Sequence, residues 1–247
     1  MQLHLSTWPE IEAYLAASKA ILIPIGSTEQ HGPNGLVGTD ALCAEIIARR
    51  AGDEAGILIG PTFNVGQAQH HMAFPGTITL RPTTMIAAMT DWANSLRRHG
   101  FERIYWLNGH GGNIATINAA FAEIHHATSF DQTGQTKALR CSLRNWWELA
   151  GVSDLIRTLF PMGEGSHATP SEISLTQYAC PGSAKSAEIN VKIAPSGPFF
   201  DAEDFRRRYP DGRIGSDPTQ ANVEAGQRLA EAAVSALVRE FKAFAAG

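Results

Sequence analysis

The stretch "AILIPIGSTEQHGPNGLVGTDALCAEIIARRAG", Ala20 to Gly52, contains a strand, a loop and a helix in that order. "AILIPIG" is short, apolar and stopped by Gly26, the pattern of a buried strand. "TDALCAEIIARRAG" sets Leu42, Ile46 and Ile47 on one helical face, with Gly52 as its stop. The loop between them is rich in glycine and carries an acid, an imidazole and a second acid: Glu29, His31 and Asp40.

The same alternation continues along the chain. "AGILIGPTF" reads as a second strand ended by Pro61, and "GTITL" as a short strand of period two. "PTTMIAAMTDWANSLRRHG" is a helix with Pro82 near its start and Gly100 just past its end. "ERIYWLNG" is another buried strand, "GNIATINAAFAEIHHAT" a helix and "KALRCSL" a strand. Arg144 to Glu164 is less regular, "TPSEISLTQYAC" is a short helix, and Pro181 to Gly215 reads as covering loops. "PTQANVEAGQRLAEAAVSALVREFKAF" closes the chain as a long amphipathic helix. Strands alternating with helices predict one α/β domain over residues 1–247, built on a mainly parallel sheet covered on both faces.

The chain has 247 residues, 44% of them apolar, enough for a sizeable core. Its formal charge of -4 and pI of about 6.1 exclude the basic footprint of a nucleic-acid binder. Three cysteines in apolar contexts, without C-x-x-C spacing, predict buried free thiols and a reducing compartment. The N-terminus lacks a secretory pattern and no apolar run reaches membrane-span length. The expectation is a cytoplasmic protein with neither membrane nor nucleic-acid partner.

Ligands of open parallel sheets bind at the carboxyl ends of the strands. Two glycine-rich segments fall there, the opening loop and "LNGHGGN", Leu107 to Asn113. Glu29 and His31 are two apart and point the same way in extended chain. Asp40 begins the following helix. His110 stands among glycines, and "SHATPSEIS" adds His167 and Glu172. This mixture of nitrogen and oxygen donors suits Zn or Mn rather than Ca or Mg. Two such ions, about 3.5–4 Å apart and sharing a carboxylate, would acidify a bridging water and polarise a carbonyl. Simpler readings stand beside these. Asp40 also opposes a helix dipole, "GHGGN" has the look of a phosphate turn without the full fingerprint, and Thr169 with Glu172 fits a capping box. His70-His71 could enter a site, whereas His125-His126 lies mid-helix and reads as surface. Trp146 and Trp147 fit a core as well as a substrate wall.

"GSTEQHGP" followed by "GTD", then "FPGT", then "NGHGGN" resembles the creatininase (creatinine amidohydrolase) family, from about Ile21 to about Leu175. The resemblance implies a three-layer αβα sandwich and a metal-dependent hydrolase of C–N bonds with a dinuclear Zn or Mn site, often hexameric. It puts Glu29, His31, Asp40 and His110 on metal-ligand positions, with Asp40 as the bridge. Where creatininase proper has Gly-His-Tyr-Glu-Asn, this chain has Gly111 and Gly112. Where many members read "HAGExETS", it reads "HATPSEIS", with Pro170 in place of the first Glu. Glu172 is therefore the expected fifth ligand and His167 the expected acid/base. A tryptophan of creatininase proper is replaced near Gly163, which argues against a creatinine pocket. The reading is an amidohydrolase in which hydroxide held between two ions attacks a small amide or cyclic amidine, His167 protonates the leaving nitrogen, and His71 and Trp146 touch the substrate. Alternatives are a formamide hydrolase acting on a purine- or pyrimidine-derived intermediate, a peptidase of a modified peptide, and a catalytically silent metal-binding oligomer.

Overall fold

A computed structural model describes residues 1–247. Its centre is a parallel sheet in the order β1-β2-β3, formed by β1 (Ala20–Ile25), β2 (Arg103–Asn108) and β3 (Arg140–Asn145). Register runs from Ala20 opposite Arg103 to Ile25 opposite Asn108, and Asn108 lies opposite Asn145. All three strands thus end level, and the loops that follow open on one edge of the sheet.

Alternation of side chains divides the core into two layers. Leu22, Tyr105 and Leu107 face one apolar cluster, shared with α2 (Thr39–Ala55), α5 (Val152–Leu159), α6 (Pro170–Ala179) and α8 (Val223–Ala246). Ile21, Ile23, Ile25, Ile104 and Trp106 face the other, shared with α1 (Trp8–Ala17), α3 (Pro82–His99) and α4 (Ile114–Ser129). Helices on both faces of a parallel sheet give the expected three-layer αβα sandwich. A seventh-position helix, α7 (Ala202–Arg208), adds a small aromatic cluster of Phe74, Phe205, Tyr209 and Ile214 beside the strand ends. No helix is long and apolar enough to cross a membrane.

Several sequence expectations are corrected. The segment after α2 pairs with the free edge of β1 only in pieces, through Leu22 N–H to Leu58 O, Gly60 N–H to Leu22 O and Phe63 N–H to Pro24 O. Pro61 has no N–H, so it interrupts this ladder rather than ending it. Ile78 of "GTITL" makes one antiparallel bridge to Thr28, outside the sheet. Helix α2 runs past Gly52 to a left-handed stop at Gly56. Gly52 instead lets the helix lie against Ile57 and Ile59. The fully buried face of α2 is Ala44, Ile47, Ala48 and Ala51, with Leu42 and Ile46 only half-buried. Helices α1, α5 and α7 lie in stretches that had no helical expectation. Cys43 is buried, whereas Cys141 and Cys180 are partly exposed.

Two glycines bring the strand ends against the start of α2. A side chain at Gly26 would run into the Ala41 backbone, and one at Gly109 into the Asp40 carbonyl oxygen. Gly109→Ala therefore forces apart β2 and the residue at the heart of the polar cluster. We expect a stability loss of about 2 kcal/mol, typical of overpacking, in chemical denaturation; an unchanged midpoint would show that this approach is not tight.

Candidate metal centre

Six of the sequence-predicted residues meet at the strand ends. Glu29 and His31 come from the loop after β1, Asp40 from the first turn of α2, and His110 from the loop after β2. His167 precedes α6, and Glu172 lies in its first turn. Glu29, His31, Asp40, His110 and His167 are buried, and the Glu172 side chain is 13% exposed.

Their donor atoms converge. His31 Nε2 is 3.0 Å from Asp40 Oδ1 and 3.9 Å from Glu172 Oε1. His110 Nδ1 is 3.1 Å from Asp40 Oδ2, and its Nε2 is 3.2 Å from Glu29 Oε2. Three overlapping groups result: Glu29, Asp40 and His110; His31, Asp40 and Glu172; and Glu29, His31 and His167. Within each, the donor atoms lie within 4.8 Å of one another, and Asp40 belongs to two of the groups.

Hydrogen bonds from outside the cluster set the imidazole tautomers. His31 Nδ1 donates to the Glu29 carbonyl at 3.0 Å, which turns Nε2 toward Asp40. His110 Nε2 donates to the Gln67 carbonyl at 3.0 Å, which turns Nδ1 toward Asp40. Both Glu29 carboxylate oxygens and Asp40 Oδ2 accept no hydrogen bond although buried. Buried carboxylate oxygens and imidazole nitrogens converging from separate loops match a cation site in donor chemistry and in charge. These residues fit a divalent metal such as Zn or Mn.

The electrostatics agree. Burial pulls His31 down, but Asp40, Glu172 and Glu29 outweigh it and push it up to about 10. Burial likewise opposes Glu29 and Asp40 at His110, which rises to about 9. Burial raises the Asp40 carboxyl, yet His31 and His110 hold it far below the usual range. Burial dominates at Glu172, which rises to about 7. His167 is pushed well below its ordinary value by burial and by the neighbouring His31 and His71.

Glu172 caps α6 and at the same time faces the cluster. Its Oε1 accepts from the Thr169 N–H at 2.6 Å, completing a capping box with the 3.2 Å bond from its own N–H to Thr169 Oγ1. The same oxygen faces His31. Ala168, buried at φ 54°, is the one non-glycine residue in the left-handed region, and it turns the chain between His167 and this cap. A side chain at Gly112 would strike the His110 ring. The third carboxylate of the cluster accordingly comes from α6 rather than from the loop after β2.

His71 joins the group but is buried among it, 3.2 Å from Glu29 Oε1 and stacked on His167. Trp146 does not join. It is 2% exposed within the core cluster of α2, α5 and α8, which leaves no open face for a substrate.

No local sequence pattern marks Gln30, whose side chain bonds to distant parts of the chain. Its amide hydrogens serve the Gly212 carbonyl at 2.8 Å and His71 Nδ1 at 2.9 Å, and its Oε1 accepts from the Gly32 N–H at 2.8 Å. With both hydrogens used, His167 Nε2 donates to the Gln30 carbonyl at 2.8 Å, leaving its Nδ1 free, 3.6 Å from Glu29 Oε1. Asn108 and Asn113 tie the loop ends together through the His110 and Gly26 carbonyls. The available signal was position, since all three lie inside the two quoted loops.

A family model described as creatinine amidohydrolase matches residues 4–241. Creatinine amidohydrolase of Pseudomonas putida is 28% identical over 167 residues, or 64% of this chain and 62% of that protein, less than two thirds of its length. Mycofactocin precursor peptide peptidase of Mycolicibacterium smegmatis is 26% identical over 215 residues, 85% of this chain and 78% of the relative. Among solved structures, a creatininase variant of Zn–Zn type has a TM-score of 0.85 at 23% identity, and a manganese creatininase 0.84 at 24%. Each covers 98% of both chains, so the fold is shared throughout.

The raised imidazoles predict a pH signature for chelator-treated protein. His31 and His110 start at 6.5 unfolded and reach about 10 and about 9 folded. A raised folded value means that the folded chain holds the proton more tightly. The contribution is therefore complete below pH 6.5 and is lost as pH rises through 9 and 10. The melting temperature in chelator should fall across that window, and added zinc should flatten the fall. A melting temperature in chelator that is level or climbs would contradict the assignment.

Proposed function

The chain belongs to the creatininase family, and from that premise we propose that it is a dinuclear metal-dependent amidohydrolase cleaving a C–N bond of a small amide or cyclic amidine. The observation that carries the reading is the set of buried carboxylate oxygens on Glu29 and Asp40 that accept no hydrogen bond while facing imidazole nitrogens. Glu29, Asp40 and His110 would hold one cation, and His31, Asp40 and Glu172 the other, with Asp40 shared. When bound, such ions polarise the scissile group and lower the pKa of nearby water.

The remaining steps belong to the chain's own residues. His167 has its Nε2 proton committed to the Gln30 carbonyl, so proton traffic runs through Nδ1. Its depressed pKa keeps the ring neutral, so Nδ1 would first take a proton from the attacking water and then hand it to the leaving nitrogen. Gln30 fixes the orientation of His167 and, through His71 Nδ1, that of the ring beside Glu29. His71 is thus a positioning residue in this reading.

Substrate identity is tested by assaying Zn- and Mn-loaded protein against creatinine, formamides, short peptides and linear amides, with metal content measured on the same sample. We expect close to two metal equivalents per chain and turnover of at least one amide. Creatinine should be a poor substrate. Gly163 sits in the left-handed region with Gln220 and Asp217 filling the space beside it, which leaves no room for a tryptophan there. Metal bound without turnover of any amide would favour a silent metal protein. Efficient creatinine opening would overturn the pocket argument.

Glu172→Gln separates cap from ligand by charge. Glutamine serves a capping box almost as well, so the fold should persist with a change well under ~1 kcal/mol. One metal should be lost or loosened, and turnover should drop by orders of magnitude. A variant with full metal content and normal turnover would leave Glu172 as a cap alone.

A further inference from the structure

An open cavity of about 330 Å³ leads outward from His31 and Gln30, walled by Gly32, Phe74 and Pro75. Two charged side chains line it, Arg206 and Asp211. Asp211 is already engaged: the buried Arg213 binds its Oδ2 through Nε at 3.0 Å and through a terminal nitrogen at 2.7 Å. Arg207 and Arg208, the neighbours of Arg206 on α7, both pair with Asp204. Arg206 alone of this run has no carboxylate. Its guanidinium carbon instead lies 4.1 Å from the centre of the Phe74 ring. Phe74 is itself held against Phe205, with ring centroids 6.0 Å apart. An arginine resting on an aromatic face loses little freedom on binding, and its edge donors stay available.

We propose that Arg206 is a specificity-determining residue that binds a carboxylate on the substrate, at the end remote from the scissile bond. The substrate class is then an amide that also bears a carboxylate. This rests on reading the His31–Asp40 cluster as the reacting centre, which lies at the inner end of the same cavity. Apart from Gln30 and His31 at one end and the Arg213-bound Asp211, the rest of the wall is glycine, proline, valine and Phe74, so Arg206 is the cation there without a carboxylate partner. A planar guanidinium matches a carboxylate through two parallel hydrogen bonds, which a neutral amide cannot reproduce.

Succinamate and succinamide are a matched test pair, alike in size and differing only in carboxylate against amide. Binding of each to zinc-loaded protein is measured by calorimetry, which needs no turnover. A failed amidase assay therefore leaves this contrast readable. We expect succinamate to bind about tenfold or more tightly than succinamide, the scale of a charge-assisted hydrogen bond. Arg206→Ala should abolish the preference and Arg206→Lys should restore it in part. Arg207→Ala removes the same charge from the face turned to Asp204 and should keep it. Metal content measured on each variant checks the fold. Equal affinities in the unaltered protein, no binding of either compound, or a preference that survives Arg206→Ala would each overturn the proposal. The last outcome would assign the carboxylate to the metal cluster instead.

Discussion

Three carboxylates withdrawn from water at one end of a sheet must have their charge answered locally, and the rest of the molecule is arranged around that demand. Isolated buried carboxylates are costly. Here Glu29, Asp40 and Glu172 face His31, His110 and His167; the carboxylates raise the proton affinity of His31 and His110, whereas burial and the neighbouring imidazoles lower that of His167. A divalent cation does the same electrostatic work as the protons on His31 and His110, with more charge. In the proposed reading, protons and metal would compete for one set of donor atoms, and that competition would link the fold to the chemistry.

The scaffold makes this arrangement possible by bringing backbone ends close. β1 and β2 finish level, so the loops that follow them reach the same point. Glycines 26 and 109 let the start of α2 pass directly over those ends. Asn108 and Asn113 then lock the loops by taking the carbonyls of His110 and Gly26. Asp40 can serve two donor groups because it enters from a helix start rather than from a strand, and so lies between the loops.

Much of this was legible in the sequence, for physical reasons. β1, β2, α3 and α4 carry strong periodicity with glycine or proline at their ends, and the ligand candidates sit in short motifs at strand ends. Other parts depend on contacts that no local pattern records. Gln30 acts on His71, His167 and the Gly212 carbonyl, partners 41, 137 and 182 residues away. The Leu58–Phe63 segment pairs with β1 around a proline that looked like a terminus. α5 and α7 are short and are capped by Gly151 and Asp201 in stretches full of glycine and proline. Trp146 follows β3 directly and turns into the core, a choice made by the packing of α2 and α8. Glu172 could not be resolved from spacing because one oxygen meets both the cap and the cluster.

The central claim is that Asp40 is shared between two cations. Electron paramagnetic resonance of the manganese-loaded protein tests it most directly, because two Mn ions bridged by one carboxylate couple their spins. The account predicts the multiline signal of a coupled pair, replaced by that of isolated ions in Asp40→Asn. A spectrum of isolated ions alone in the unaltered protein, at full metal loading, would contradict it.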